Sequence, residues 1–204
     1  MKVYSSQMAF EQLAASVSAH PQAAALRSLA VIGAASGVGA TTVAMNLART
    51  MTAGNKSVLL ISLKKSAPGG SSDPAITKAS GIISLARQME GNFYYAEMPA
   101  SRFLQIVPGS DAALARITQD LTEKYDVVIW DVMPIDASPQ SGAICKHAEG
   151  VVLVLHAGKT RWHSARHTIN AIKFSGANIL GVVLNKKKVY IPRWIYRLLF
   201  RYTA

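Results

Sequence analysis

Short runs of consecutive apolar residues alternate along this chain with longer stretches in which apolar residues recur every three or four positions. The short runs are rich in β-branched residues, which is typical of strands buried on both faces of a parallel sheet. They predict strands at Leu29–Ile32, Val58–Ser62, Leu104–Val107, Val127–Asp131, Val151–Leu155 and Ile179–Leu184. The longer stretches predict helices at Ser6–Ser18, Thr41–Thr52, Ile82–Glu90, Asp111–Lys124, Ser138–His147 and Trp162–Phe174.

Strands that alternate with helices predict an α/β fold, in which helices cover both faces of a mostly parallel sheet to give three layers. The pattern divides the chain into an entry helix and linker (1–27), one central domain (28–185) and a tail (186–204). A cluster of glycine, serine and proline at 66–74 predicts a surface loop between the second strand and the next helix.

The first strand leads through small residues into a helix, and this loop carries the first chemical signal. Gly37, Gly39, Thr41 and Thr42 occupy the positions that a Walker A phosphate-binding loop requires, but Ala40 stands where that motif has lysine. The glycines allow backbone N–H groups to surround a phosphate, and the helix N-terminus adds partial positive charge. Loss of the lysine weakens phosphate binding and disfavours phosphoryl transfer further, because that reaction depends on positioning and charge. Alternatively, the glycines only form a tight turn between strand and helix.

A second motif agrees with the first. The apolar run Val127–Ile129 continues into Trp130 and ends in Asp131, as a Walker B strand does. In proteins with a phosphate-binding loop, such an aspartate helps to hold Mg²⁺ beside the loop threonine. Thr41 and Asp131 are therefore the predicted metal-binding residues.

Charge and cysteine content restrict the compartment and the partners. The net charge of +11 is concentrated in the tail, where six basic residues and no acidic residue follow position 185, which leaves +5 on the rest. Cys145 is the only cysteine, so no internal disulfide can form, and neither a secretory signal nor an apolar run long enough to span a membrane is visible. These observations predict a cytoplasmic protein with a local anionic partner, and they make a nucleic-acid partner unlikely.

With these motifs, the sequence resembles the bacterial tyrosine autokinases of capsule and exopolysaccharide synthesis, which group with the Min/Par class of deviant P-loop ATPases. The resemblance extends from about Ser6 to Tyr202 and includes the loop at 34–42 and the strands at 58–64, 125–134, 149–160 and 176–185. It implies a P-loop NTPase-like fold, ATP or ADP with Mg²⁺ as cofactors, and an adenine contact by Asn185. It also implies a membrane polysaccharide co-polymerase as partner and phosphorylation of tail tyrosines, here Tyr190, Tyr196 and Tyr202.

The departures from the family pattern concern charged residues of the active site. Relatives have lysine in place of Ala40 and two aspartates in place of Ser62 and Lys64. Their ring-forming helix carries a glutamate and two arginines where this chain has Met8, Glu11 and Ala14. These losses favour a degenerate, non-catalytic protein that acts by binding. Two alternatives stay open: an active autokinase, in which Lys64 replaces the missing cation, and a Min/Par-type membrane-positioning protein.

The tail predicts a helix with a basic face and an apolar face, a pattern typical of helices that lie on an anionic membrane surface. Packing of the apolar face on the domain, or on the cytoplasmic end of a membrane protein, is the alternative. Binding to the membrane surface or to such a membrane protein would place the protein at the inner face of the cell membrane. The tail residues predicted to contact the membrane or a partner are Lys186, Lys187, Lys188, Arg193, Trp194, Arg197, Leu198 and Arg201.

Overall fold

The computed structural model of the protein describes residues 11–13, 15, 26–64, 76, 78–100, 111–138 and 141–187, without the side chain of Lys64. The strands of this part are β1 (Ser28–Gly33), β2 (Val58–Lys64), β3 (Arg87–Glu90), β4 (Phe93–Pro99), β5 (Val127–Val132), β6 (Gly150–His156) and β7 (Ile179–Asn185). The helices are α1 (Ala40–Thr52), α2 (Ala79–Leu85), α3 (Asp111–Lys124), α4 (Ser141–His147) and α5 (Trp162–Phe174).

The strands form one seven-stranded sheet in the order β3-β4-β2-β5-β1-β6-β7. Every neighbouring pair is parallel except β3 and β4, which are antiparallel. The three central strands are almost wholly apolar because helices cover both of their faces. The predicted α/β fold with a mostly parallel sheet is thus confirmed.

Alternate residues of the buried strands contribute to two separate apolar cores, one on each face of the sheet. Ile61 and Trp130 pack on the face covered by α2, α3, α4 and α5. Leu60 and Ile129 pack on the opposite face, against α1. Ser62 and Asp131 lie two positions after Leu60 and Ile129 on their strands. The same alternation therefore places both of them on the α1 face.

The hairpin of β3 and β4 corrects the sequence prediction. The helix predicted over Ile82–Glu90 was wrong in its second half, because α2 ends at Leu85 and Arg87–Glu90 forms the edge strand β3. All four residues of β3 are exposed, so this strand lacks the apolar signal that marks the buried strands. Gly91, with a positive φ of 54°, makes the turn into β4.

Several predicted segments lie outside the described residues, among them the strand at Leu104–Val107, the loop at 66–74 and the tail beyond 187. Of the predicted entry helix, residues 11–13 and 15 are helical, and Leu13 packs against the α1-face core.

The fold brings the carboxyl ends of β1, β2 and β5 together at one edge of the sheet. Because ligands of open α/β sheets bind at the carboxyl ends of the strands, this edge is the expected functional edge. Asp131 of β5 pairs with Val31 of β1 on one side and with Ser62 of β2 on the other. These pairings place the three residues side by side at this edge.

Candidate nucleotide-binding site

The loop between β1 and α1 has the geometry of a phosphate-binding loop. Gly37 has φ 77° and Gly39 has φ 91°. Both values lie in the left-handed region that favours glycine. Gly39 is the residue preceding α1, and no side chain caps this helix N-terminus. The first N–H groups of α1 therefore remain available to an anion, where the helix dipole adds partial positive charge.

A cavity of about 280 Å³ lies between this loop and the end of β5. Ala40 and Thr41 line it from the helix side, and Asp131 and Pro134 line it from the β5 side. Among the described residues that line this cavity, Asp131 carries the only formal charge, so no side chain lining it neutralises a phosphate. Thr42, the other predicted loop threonine, is exposed and does not line the cavity.

Asp131 is buried, with 4% of its surface exposed, and it contacts the neighbouring strand. The Ser62 hydroxyl, itself fully buried, donates a hydrogen bond to Asp131 Oδ2 at 2.7 Å. Thr41 and Asp131 both line the cavity, and their oxygen atoms are the ligand type that Mg²⁺ prefers. The two predicted metal-binding residues are therefore close together, while their role stays a prediction.

Polar side chains continue from Asp131 across the sheet to β4. Tyr95 donates a hydrogen bond to the exposed carboxylate of Glu97 and also contacts the Ser62 hydroxyl. Burial and the Glu97 carboxylate raise the pKa of Tyr95 to about 12, against the weaker opposite effect of Ser62. The sequence prediction missed Tyr95 and Glu97, although the aromatic run Phe93–Tyr95 favours a strand.

The end of β7 contacts the phosphate-binding loop on the side away from β5. Asn185 pairs with His156 in the sheet, and its side-chain amide donates a hydrogen bond to the Val38 carbonyl at 3.0 Å. The next residue, Lys186, extends its ammonium group to the Gly37 carbonyl, with Nζ 2.8 Å from the oxygen. The predicted adenine residue and the first predicted tail residue thus both contact the loop.

A second cavity, also of about 280 Å³, lies beside the first and shares the loop residues 35–38 with it. Its other wall includes His156, Lys159 and Arg161, which gives this side of the loop a basic character. Lys159 belongs to a turn after β6, and the backbone N–H of His156 donates to Thr160 Oγ1 at 2.8 Å.

The structure leaves part of the predicted site undescribed. The backbone of Lys64 ends β2 and pairs with Pro99, but its side chain lies outside the described part. Lys187 is exposed, and the remaining predicted tail contacts and phosphoacceptors lie outside the described residues. The latter are Lys188, Tyr190, Arg193, Trp194, Tyr196, Arg197, Leu198, Arg201 and Tyr202.

The sequence matches a bacterial kinase over most of its length. The tyrosine-protein kinase YwqD of Bacillus subtilis (strain 168) is 25% identical over 175 residues, which cover 80% of this chain and 74% of YwqD. This similarity indicates the bacterial tyrosine autokinase family. The predicted resemblance is thereby confirmed, whereas loss of catalysis stays a prediction.

Solved structures agree on the fold of this autokinase-family domain. The kinase domain of the Escherichia coli tyrosine kinase ETK superposes with a TM-score of 0.69 at 19% identity, over 92% of this chain and 80% of that domain. Cobyrinic acid a,c-diamide synthase from Mycobacterium smegmatis, with a bound ATP analog and magnesium, gives a TM-score of 0.62 at 18% identity, over 88% of this chain and 84% of that one.

Residues 2–138 also match the family model described as "Origin of replication binding protein", and by this sequence profile the chain belongs to that family as well. The match covers the phosphate loop and β5 but ends before β6 and β7. The kinase comparisons cover more of the chain, 80% for YwqD and 92% for the ETK kinase domain. For this reason the autokinase assignment explains more of the molecule than the origin-binding description does.

Proposed function

We propose that this kinase-like domain binds an adenine nucleotide without turning it over at ordinary kinase rates. It acts in capsule or exopolysaccharide assembly by binding a membrane polysaccharide co-polymerase at the inner face of the cell membrane. The observation that carries the proposal is the composition of the cavity, where the loop backbone is available to a phosphate and the lysine position is occupied by the methyl group of Ala40.

The backbone geometry supports binding, and the side chains argue against fast transfer. A nucleotide phosphate would contact the N–H groups of the loop and of α1, and Mg²⁺ would be held by Thr41 and Asp131. The described residues contain no cluster of three or more His, Cys, Asp or Glu side chains that could hold a metal ion. Since phosphoryl transfer depends on charge stabilisation, a cavity whose described lining holds one carboxylate and no cation favours binding over turnover.

Enzyme assays on the purified chain test this proposal. We expect calorimetry to detect ADP and ATP in the presence of Mg²⁺, while ATP hydrolysis and tyrosine phosphorylation stay at the background of an Asp131→Ala variant. Turnover at ordinary kinase rates that Asp131→Ala abolishes would overturn the non-catalytic part. Absence of any nucleotide binding would overturn the binding part.

An active autokinase is the second candidate, and the sequence match to a tyrosine-protein kinase favours it. Its acceptors would be Tyr190, Tyr196 and Tyr202, and the side chain of Lys64 would supply the cation. Mass spectrometry of the tail peptides after expression distinguishes the two candidates, because only the active enzyme adds phosphate to these tyrosines. A Lys64→Ala variant that retains the phosphorylation would assign the cation to another residue.

A partner at the membrane is the remaining part of the proposal. The basic residues of the tail and the family assignment support it, and no helix among the described residues is long and apolar enough to cross a bilayer. Co-purification of the intact chain with a co-polymerase, compared with a chain that ends at Lys187, tests the role of the tail. Equal recovery of both forms would exclude the tail as the binding element.

A further inference from the structure

The phosphate cavity lacks a lining cation among the described residues, yet a lysine contacts its loop from outside the motif. Lys186 Nζ lies 2.8 Å from the carbonyl oxygen of Gly37, although 149 positions separate the two residues in sequence. Gly37 lines both cavities that flank the loop. The ammonium group is therefore held at the element that would surround a phosphate.

The backbone at the end of β7 is shaped to bring this lysine to the loop. Lys186 has φ 57°. This left-handed conformation is uncommon for residues other than glycine. Its N–H donates to the side-chain oxygen of Asn185 at 2.8 Å, while the Asn185 amide donates to the Val38 carbonyl at 3.0 Å. Asn185 thus stabilises the turn and ties it to the loop, and the turn directs the lysine side chain over the loop.

The loop in turn accommodates this close approach because position 39 has no side chain. A Cβ atom on Gly39 would lie 2.3 Å from Asn185 Nδ2 and 3.5 Å from Lys186 Cε. The lysine stem therefore passes directly beside the residue that precedes α1. Gly39 both permits the left-handed turn of the loop and leaves room for the end of β7.

We propose that Lys186 supplies the positive charge that Ala40 lacks and contacts the phosphates of a nucleotide held by the loop. A lysine ammonium has three N–H donors, so Nζ can keep its bond to Gly37 while it donates to a phosphate oxygen. The charge thus reaches the phosphates from β7, on the opposite side of the loop from Asp131. This assignment rests on the proposed nucleotide binding and specifies which side chain makes it possible.

Lysines 159 and 187 are less suited to this role. Lys159 lines only the second of the two cavities, whereas the Lys186 ammonium group contacts Gly37, which both cavities share. Lys187 is exposed one residue beyond Lys186, and it carries the same charge at almost the same place in the chain. Lys187 is therefore the matched control for a charge effect that depends on position.

Calorimetry with ADP and Mg²⁺ tests the assignment on the intact chain. We expect Lys186→Gln, which removes the charge but keeps a side-chain N–H donor, to weaken ADP binding about ten-fold. Lys186→Arg should stay within about three-fold of the wild type, and Lys187→Gln within about two-fold. The wild-type affinity should also fall more steeply with added NaCl than the affinity of Lys186→Gln, because a charge contact is screened by salt.

The possible results separate this assignment from the proposed function. If the wild type binds ADP and Lys186→Gln binds it equally well with the same salt dependence, the assignment is wrong and nucleotide binding stands. If Lys187→Gln weakens binding as much as Lys186→Gln, the effect is one of general surface charge and the assignment also fails. If the wild type binds neither ADP nor ATP, both the assignment and the binding part of the proposed function fail.

Discussion

Ser62 and Asp131 face each other on the adjacent parallel strands β2 and β5, and the serine hydroxyl donates to the buried carboxylate at 2.7 Å. The family resemblance predicts an aspartate at position 62. Two carboxylates at this distance would disfavour each other's ionisation. Ser62 instead donates a hydrogen bond, so this pair contains one carboxylate, that of Asp131, and the carboxylate is hydrogen-bonded.

Replacement of Ser62 by alanine should destabilise the protein. The variant removes a donor from a buried carboxylate, and loss of such a bond costs about 1–3 kcal/mol. Urea unfolding monitored by circular dichroism measures the difference. Ser84→Ala is the control, because the Ser84 hydroxyl is exposed and donates to the Gly81 carbonyl of its own helix. Equal stability of Ser62→Ala and wild type would show that the bond contributes nothing.

The two loop glycines should differ in their response to alanine. Both have positive φ. Each substitution therefore carries a backbone strain of about 1–2 kcal/mol. At Gly37 nothing lies within 4 Å of the added Cβ, whereas at Gly39 the Cβ would displace Asn185. We expect Gly39→Ala to be less stable than Gly37→Ala by about 1–3 kcal/mol in urea unfolding. Equal losses in the two variants would contradict the close packing of β7 on the loop.

Restoring lysine at position 40 should strengthen nucleotide binding. Ala40 lines the cavity, and an ammonium group there can reach the phosphates. Ala40→Lys should therefore bind ADP about ten-fold more tightly in calorimetry. With this charge in place, Lys186→Gln should cost less than it does in the wild type, because the two lysines serve the same phosphates. Strictly additive effects of the two substitutions would contradict a shared role.

Tyr95 should make the free energy of unfolding depend on pH in the alkaline range. Burial, followed by the Glu97 hydrogen bond, raises its pKa from 10.0 to about 12 in the folded state, so the folded state retains the proton more firmly. The contribution of Tyr95 to stability is therefore fully present below pH 10 and is lost as the pH rises to about 12. The free energy of unfolding should be measured for wild type and Tyr95→Phe across this range. The difference between the two values should become smaller as the pH rises.

Glu97→Gln provides the matched change for this titration. It removes the carboxylate but leaves the partial burial of Tyr95 unchanged, so ultraviolet titration of tyrosine should show the Tyr95 pKa falling only part of the way towards 10. An unchanged titration would exclude the Glu97 hydrogen bond as a cause of the raised pKa.

The residues after Lys187 should confer membrane binding if the tail lies on an anionic surface. Flotation with vesicles that contain anionic lipid compares the intact chain with a chain that ends at Lys187 and so retains the contact between Lys186 and Gly37. We expect only the intact chain to float, and added salt to reduce this binding. Equal flotation of the two forms would exclude the tail as a membrane element.

The sequence predicts the centre of the sheet and the loop because their signals are local. The buried strands are continuous apolar runs, and Gly37 and Gly39 mark a turn that needs positive φ. The edge strand Arg87–Glu90 carries no such signal, because all of its residues face solvent and its polar pattern continues that of the preceding helix. Its pairing with β4 depends on the hairpin and not on its own apolar content.

The contacts that complete the candidate site depend on long-range packing. Ser62 meets Asp131 only through the register of β2 and β5, and Lys186 meets Gly37 only because β7 ends beside the loop. The composition of the tail suggested that Lys186 belongs with the lysines that follow it. The left-handed turn at Lys186 instead directs its side chain to the loop, and no sequence pattern around 185–187 indicates this turn.

The contact between Lys186 and the loop also has a thermodynamic consequence for the proposed partner. Lys186 is the first residue of the tail (186–204). A partner that fixes the tail would also restrict the reach of Lys186, and occupation of the loop by a nucleotide would favour the same arrangement of the chain. Because such linkage is reciprocal, each ligand would alter the affinity for the other by the same factor. The domain could then report its nucleotide state to a membrane complex without any chemical step.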